Sequence, residues 1–240
     1  MKDALILEAG SGAGRFTEVL LSTGAIVFSF DLSNAVEANA GNNGHMPNLR
    51  LFQASIYDIP LHKGIFDKVL CLGVLQHTPD PERAFCSLVD FLKPGGEIAI
   101  DVYSRQVRAL LSWKYLLRPV TKHLSKEQLF QLVERAVTTL LPTTSLLRRF
   151  AGRLGARIMP IVDYSHTGLS DELNRAWSIL DTFDMYAPAH DHPQALAAVR
   201  GWFSKAGLEN VMAEYGPNGI IARGRRPMEL RVPESQPKVR

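Results

Sequence analysis

The segment Glu8-Ala9-Gly10-Ser11-Gly12-Ala13-Gly14 sets three glycines behind a carboxylate. Glycines at this density let a backbone turn sharply and approach a bound molecule with no side chain in between. The spacing departs from the Gly-x-Gly-x-x-Gly of dinucleotide sites, because the third glycine comes one residue early and Arg15 follows it. Glu8, two places before Gly10, would repel a diphosphate and suits a ligand with a cationic group. Asp31, 19 residues after Gly12, is placed to accept both hydroxyls of a ribose. Further on, Gly73-Val74-Leu75-Gln76-His77-Thr78 presents an imidazole whose ordinary pKa suits a general base. A second concentration of polar chemistry runs from Leu180 to Pro193. There Asp184, Tyr186, His190 and His192 are candidates for a base or a substrate clamp, and His166 is a further one. The His-x-His pair beside aspartates has the residue types of a metal site, but spacing alone does not make one, and no metal is expected.

These groups need a scaffold, and the first hundred residues supply its pattern. Short apolar runs at 4–7, 25–30, 49–54, 66–72 and 97–103 alternate with helical segments at about 14–23, 33–40 and 81–92. This is the signature of a parallel sheet covered on both faces. The glycine turn falls between the first strand and the first helix, where such sheets bind ligands. After Tyr103 the strand rhythm disappears, and a helical pattern punctuated by Pro119, Pro142 and Pro160 takes over. It resumes with a helix at 193–206 and two strands joined by Gly216-Pro217-Asn218, a hairpin that makes the last strand antiparallel. The expectation is therefore an α/β, Rossmann-like, doubly wound and mostly parallel seven-stranded sheet with a C-terminal antiparallel hairpin. Its core is residues 1–103 and 191–226, with a helical cap insertion at 104–190 and a flexible tail at 227–240.

Composition agrees with one domain carrying an insertion: 240 residues, 46% hydrophobic and 21% charged, which is near the globular average and excludes collagen-like and disordered classes. Cys71 and Cys86, the only two cysteines, form no CxxC pair and suit a reducing compartment. With no secretory signal and no apolar stretch near the roughly 18 residues of a membrane span, the sequence reads as cytoplasmic. The net charge of +3 hides an asymmetry. Residues 104–160 hold 11 Lys and Arg against 2 Asp and Glu, which leaves the rest of the chain acidic apart from its tail.

A ribose, a cationic group and no phosphate together describe S-adenosylmethionine. In the acidic-x-Gly-x-Gly-x-Gly turn, Asp31, the Ala54 to Pro60 segment, Gly73 to Thr78 and Phe91-Leu92-Lys93-Pro94-Gly95-Gly96, the chain resembles the class I methyltransferases, closely over residues 4–103 and loosely over 193–224. The resemblance implies S-adenosylmethionine as cofactor, held by Gly10, Gly12, Gly14 and Asp31, with Glu8 helping to hold its amino group. It also implies adenine contacts at Ser55 and Ile56 with Leu32 on the other side, and main-chain contacts to the amino group at Leu72 and Gly73. Ser55 stands where the family often has aspartate. A serine hydroxyl accepts a hydrogen bond without charge assistance.

Methyl transfer is an in-line displacement, so the protein must align the acceptor and, for a hydroxyl, remove a proton. Relatives that methylate amide or exocyclic nitrogens carry Asn/Asp-Pro-Pro-aromatic after the fourth strand. This chain has Gly73-Val74-Leu75-Gln76-His77, which speaks against adenine or glutamine methylation and leaves an oxygen, or a carbon or amine, as the methylated atom; an oxygen of a small or lipid-linked acceptor is the reading taken, with His77, His190 and His192 as candidate catalytic residues and Asp184, Tyr186 and His166 as candidate substrate contacts. The basic insertion, with Arg105, Arg108, Lys114, Arg118, Arg148, Arg149, Arg153 and Arg157 among leucines and Trp113, is a candidate surface for a membrane or lipid-like acceptor, or the solvated outside of a lid. No nucleic acid is expected, since no basic strand interleaved with aromatics appears. Two alternatives stand beside this reading. One is a protein that binds S-adenosylmethionine without chemistry, and the other a nicotinamide-dependent oxidoreductase, which would need the third glycine one residue later.

Overall fold

The computed structural model describes residues 2–105, 113–217 and 219–228. They form two compact units, Met1–Ser104 with His192–Arg240, and Arg105–Asp191. Asn218, the tail from 229 onward and residues 106–112, including Arg108, lie outside the described residues.

The first unit is a seven-stranded sheet in the order β3-β2-β1-β4-β5-β7-β6. Its strands are β1 (Leu5–Ala9), β2 (Ile26–Asp31), β3 (Leu49–Gln53), β4 (Phe66–Leu72), β5 (Leu92–Val102), β6 (Glu209–Gly216) and β7 (Gly219–Arg225). Strands β1 to β5 run parallel, and β7 is antiparallel to both β5 and β6. The chain order reverses between β1 and β4, so the crevice at a topological switch point opens beside the end of β1. Four helices flank the sheet: α1 (Arg15–Ser22), α2 (Ala35–Asn43), α3 (Pro81–Val89) and α7 (Leu196–Lys205). One face buries Val69, Cys71, Ile98, Ile100 and Val102 against Phe85, Leu88, Val199, Trp202 and Phe203. The other face buries Ile6, Val27 and Leu49 with Leu20 and Leu21. At about 25 cal/mol per Å² of apolar surface, these two layers supply the main drive for folding this unit.

Three local expectations are corrected here. The helix after β2 runs to Asn43 instead of ending near 40, because Asn39 and Asn43 are buried and bonded, which a loop would not achieve. Helix α3 stops at Val89. β5 then begins at Leu92, so Lys93-Pro94-Gly95-Gly96 belongs to the strand, with the Gly95 amide donating to the Arg226 carbonyl and the Arg226 amide donating to the Gly96 carbonyl. The strand start is possible because Pro94 sits at the register irregularity between Phe66 and Lys68, where a missing donor is tolerated.

The second unit is helical: α4 (Trp113–Thr121), α5 (Lys126–Ala156) and α6 (Asp171–Tyr186). A capping box opens α5, with the Gln128 amide donating to Ser125 Oγ and the Ser125 amide donating to Gln128 Oε1. Its stripe of Leu129, Val133 and Val137, four residues apart, packs with Ile161 and Tyr186. Pro119 and Pro142, read as punctuation, lie inside helices; the break in α5 comes instead at Ala151 and Gly152, where Gly152 takes φ 56° and ψ −137°. The 180–193 segment is likewise helical through Tyr186, so Asp184 and Tyr186 stand on α6.

Candidate functional site

The glycine turn closes at the carboxyl end of β1. The Gly10 and Ser11 amides both donate to the Phe30 carbonyl, at 2.8 and 3.0 Å, fastening the turn to the end of β2. Gly10, Gly12 and Gly14 have φ of 79°, 52° and 93°, a region costly for any residue with a Cβ. Each glycine answers a different neighbour. A Cβ at Gly10 would stand 2.2 Å from Val74 and one at Gly14 would stand 2.2 Å from Asn39, whereas Gly12 faces open space. The Gly12 amide donates to Asp31 Oδ2 at 2.9 Å, and Asp31 Oδ1 accepts from the Ser33 amide and hydroxyl at 2.8 and 2.7 Å. The 19-residue spacing thus resolves into direct contact at the strand ends.

Beneath the turn, Glu8 is buried, and its Oε2 accepts from the Thr17 and Ser29 hydroxyls at 2.6 and 2.7 Å. Burial pushes its carboxyl above the usual range, the two hydroxyls pull the other way, and Asp31 adds a push upward. Asn39 donates to Thr17 Oγ1, Asn43 to Asn39 Oδ1 and to the Gly14 carbonyl, and Asn42 to the Ala13 carbonyl. One side of α2 therefore pins the turn, a role the sequence reading missed. The signal was there in Asn39, Asn42 and Asn43, which lie three and four apart on one helix.

At the ends of β4 and β5, Leu72 pairs with Asp101, and the Gly73 amide donates to the Asp101 carbonyl at 3.1 Å. Gly73 has φ 72°, and a Cβ there would meet no atom within 4 Å. A 3-10 turn, Leu75–His77, follows, and the half-buried His77 ring meets Tyr103 edge to face at 5.4 Å. The exposed His192 donates its amide to the Gln76 carbonyl, and Gln194 donates to the Tyr103 carbonyl, tying the returning chain to these strand ends. Two further polar residues here were missed. Gln76 is fully buried with neither amide atom paired, and Asp101 has a buried, unpaired Oδ1 and a carboxyl raised by burial. An aspartate inside Ile98-Ala99-Ile100-Asp101-Val102 was a legible anomaly for a buried strand.

On the adenine side expected from the resemblance, Leu32 is exposed and its carbonyl accepts from Gln53 Nε2 at 2.8 Å. Ser55 Oγ accepts from the Tyr57 amide and keeps its own hydrogen to donate. Ile56 is buried within the sheet core, so its main chain is what remains to offer a ligand. A separate groove of about 440 Å³, lined by Lys68, Leu70, Ala99, Arg223 and Arg225, holds none of these residues.

In the helical unit the candidates are scattered. Tyr186 is buried, its hydroxyl donates to the Pro160 carbonyl at 2.8 Å and burial pushes it up to about 12, so it packs within the helical core. Asp184 lies one turn from Asp181, and partial burial, then that neighbour, raise its carboxyl. His166 is exposed in a turn, and His190 is exposed at the end of this unit. Ion pairs join Lys114 to Asp191 at 3.0 Å and Arg148 to Asp163 at 2.6 Å. Among the described residues no three His, Cys, Asp or Glu side chains gather as a metal site would require, and no helix is long and apolar enough to cross a membrane.

Residues 7–100 match the methyltransferase-domain family. An uncharacterised protein of Synechococcus sp. is 36% identical over 110 residues, covering 43% of this chain and 26% of that protein. A ubiquinone biosynthesis O-methyltransferase of Coxiella burnetii is 32% identical over 114 residues, covering 46% of this chain and 48% of that enzyme. The chain thus matches half or less of the length of these curated relatives. Among solved structures, a SAM-dependent methyltransferase of Methanosarcina mazei superposes with a TM-score of 0.52 over 95% of each chain at 14% identity, a likeness of fold.

Proposed function

We propose that this chain, whose residues 7–100 are a class I methyltransferase domain, binds S-adenosylmethionine and transfers its methyl group to an oxygen of a small or lipid-linked acceptor. The observation that carries the reading is the Gly12 amide held on the Asp31 carboxylate at a turn where Gly12 itself faces open space. The residues present fit the cofactor. Asp31 retains lone pairs for ribose hydroxyls, the exposed Leu32 and the Ser55 hydroxyl suit the two sides and edge of an adenine, and the main chain at Leu72 and Gly73 has no side chain near Gly73 to obstruct an ammonium group. Glu8 contributes negative charge beneath the turn.

S-adenosylmethionine supplies a methyl group already activated on a sulfonium. What remains for the protein is alignment of the acceptor and removal of its proton. His77, half-buried at the strand ends, takes that proton, and His192, whose amide donates to the Gln76 carbonyl beside it, is the second candidate in the sheet unit. The Coxiella burnetii relative, a ubiquinone biosynthesis O-methyltransferase, supports oxygen as the methylated atom, and the absence of an Asn/Asp-Pro-Pro-aromatic segment after β4 speaks against an amide or exocyclic nitrogen.

The test is incubation with S-adenosylmethionine and a panel of phenols, catechols and quinone precursors, reading S-adenosylhomocysteine release. Turnover with a hydroxylated acceptor is expected. Tight cofactor binding with no turnover across the panel would leave a binding protein, and methylation confined to amines would remove the oxygen assignment.

A further inference from the structure

The helical unit carries an apolar surface that its own core leaves uncovered. Helix α4 turns Leu117 into the cluster around Leu129 and Val133 and points Leu116 and Val120 outward, each 67% exposed. The Trp113 indole N–H donates to the Ile158 carbonyl at 3.0 Å, which sets the start of α4 beside the segment that follows α5. Leu154, one turn before Ile158, is 74% exposed and Phe150 is 81% exposed, either side of the break at Ala151 and Gly152. Apolar side chains this large and this exposed mark an interaction site when they gather on one region.

The charges around them are of one sign. Between positions 105 and 126 and again between 135 and 162 the sequence contains no Asp or Glu at all. The two acidic residues of the intervening stretch are Glu127, in the first turn of α5, and Glu134. Arg149, Arg153 and Arg157 are exposed and each immediately precedes one of the exposed apolar residues Phe150, Leu154 and Ile158; Lys122 is exposed at the end of α4. Arg148, which turns inward, is instead neutralised by Asp163. Lys114 and Arg148 are thus paired with carboxylates, whereas the exposed Arg149, Arg153 and Arg157 stand beside apolar residues in a stretch of sequence without acids.

We propose that this face of α4 and the carboxyl-terminal part of α5 docks on an anionic membrane surface, with Leu116, Val120, Phe150 and Leu154 entering the interface and the arginines meeting lipid phosphates. Bulky apolar groups flanked by arginine match a bilayer interface, where the chains bury the one and the headgroups neutralise the other. An acidic protein partner would satisfy the charges, but it would not account for apolar residues spread over two helices with no acidic residue among them. The inference goes beyond the proposed methyl transfer and does not depend on it.

The test uses the full chain and vesicle co-sedimentation without cofactor. Vesicles of phosphatidylcholine with about a third phosphatidylglycerol should bind the protein, and pure phosphatidylcholine should bind it poorly, with salt weakening the first. The double variant Phe150→Ser, Leu154→Ser should lose about tenfold in binding or more. The triple variant Arg149→Gln, Arg153→Gln, Arg157→Gln should lose the preference for phosphatidylglycerol. All five positions are exposed, and unchanged circular dichroism confirms that the variants fold. Absence of binding to the anionic vesicles at low salt, or equal binding by folded variants, overturns the proposal. So does a Phe150→Ser chain that loses self-association while vesicle binding was never present, which would assign the face to a second copy.

Discussion

Two buried carboxylates, one in each unit, are held in opposite ways. Glu8 lies under the glycine turn with only neutral hydroxyls on its Oε2, and burial raises its carboxyl. Asp163, in the helical unit, is also buried. The burial that would raise its carboxyl is outweighed by bonds from Ser165, Ser145 and Arg148, and it sits below the usual range. The sheet unit therefore leaves the Glu8 carboxyl with neutral hydrogen-bond donors beside a turn built from positive-φ glycines. The helical unit pairs the charge of Asp163 with Arg148 and that of Asp191 with Lys114.

The largest expected effect is at the turn. Gly12→Val forces a β-branched residue into φ 52° and fills the open space in front of the Asp31-bound amide. Calorimetry should find no measurable S-adenosylhomocysteine binding, while much of the fold remains. Normal binding by this variant would make the turn structural only and erase the contrast between the units.

Next in size is Asp163→Ala, which strands the Arg148 guanidinium and the Ser145 and Ser165 hydroxyls. Removing one partner of a buried pair costs about 3 kcal/mol. Trp177, edge to face with Tyr164 at 5.8 Å, reports on this unit, and Trp202, buried in the sheet unit, reports on the other. Denaturation followed in single-tryptophan variants should show the Trp177 transition moving to lower denaturant, with S-adenosylhomocysteine affinity at native conditions unchanged. The native pair also has a pH signature. A depressed carboxyl contributes stability above its unfolded pKa and loses it as pH falls through the folded value, so acid should unfold the Trp177 signal and Asp163→Ala should remove that part of the acid dependence.

Asp31→Ala ranks third. Charge-assisted hydrogen bonds are worth about 1.5 to 3 kcal/mol each, so affinity for S-adenosylmethionine and S-adenosylhomocysteine should fall about tenfold or more. The Gly12 and Ser33 amides would lose their acceptor as well. Unchanged affinity in a folded variant would take Asp31 out of the site.

How much of this was readable beforehand follows a physical division. The strand-turn-helix around Gly10 to Gly14 and the placement of Asp31 were legible because both are set by local periodicity and by a ligand position that parallel sheets share. The seven-stranded order with its antiparallel hairpin was legible for the same reason. The asparagine brace from α2 was not, since an Asn/Gly-rich stretch reads as loop until the buried partners Thr17 and Gly14 are known. The packing of Tyr186 was not legible, because a polar tip near histidines looks like chemistry in sequence, whereas its buried hydroxyl donates to the Pro160 carbonyl, 26 residues away. Gln76 escaped notice because nothing in its neighbours in sequence shows that both amide atoms are buried without partners.

The smallest expected effect tests the Glu8 charge directly. Glu8→Gln keeps an oxygen that accepts from Thr17 and Ser29 and removes the ionisation. Because the folded carboxyl is raised, the native protein holds that proton more tightly than the unfolded chain. Stability linked to Glu8 is then fully present below the unfolded pKa and is lost as pH rises through the folded pKa. The glutamine variant has no such loss, so its stability at neutral pH should equal or slightly exceed that of the native protein, with a flatter profile on the side above the unfolded pKa. Binding should move the other way. If the negative charge serves a cationic ligand, Glu8→Gln weakens the sulfonium form, S-adenosylmethionine, more than the uncharged thioether, S-adenosylhomocysteine. Equal weakening of both would assign the Glu8 charge to the amino group that the two ligands share, no weakening of either would leave Glu8 to holding the turn through its hydroxyl partners, and a loss of stability at neutral pH would mean that the ionised carboxylate is structural, as Asp163 is.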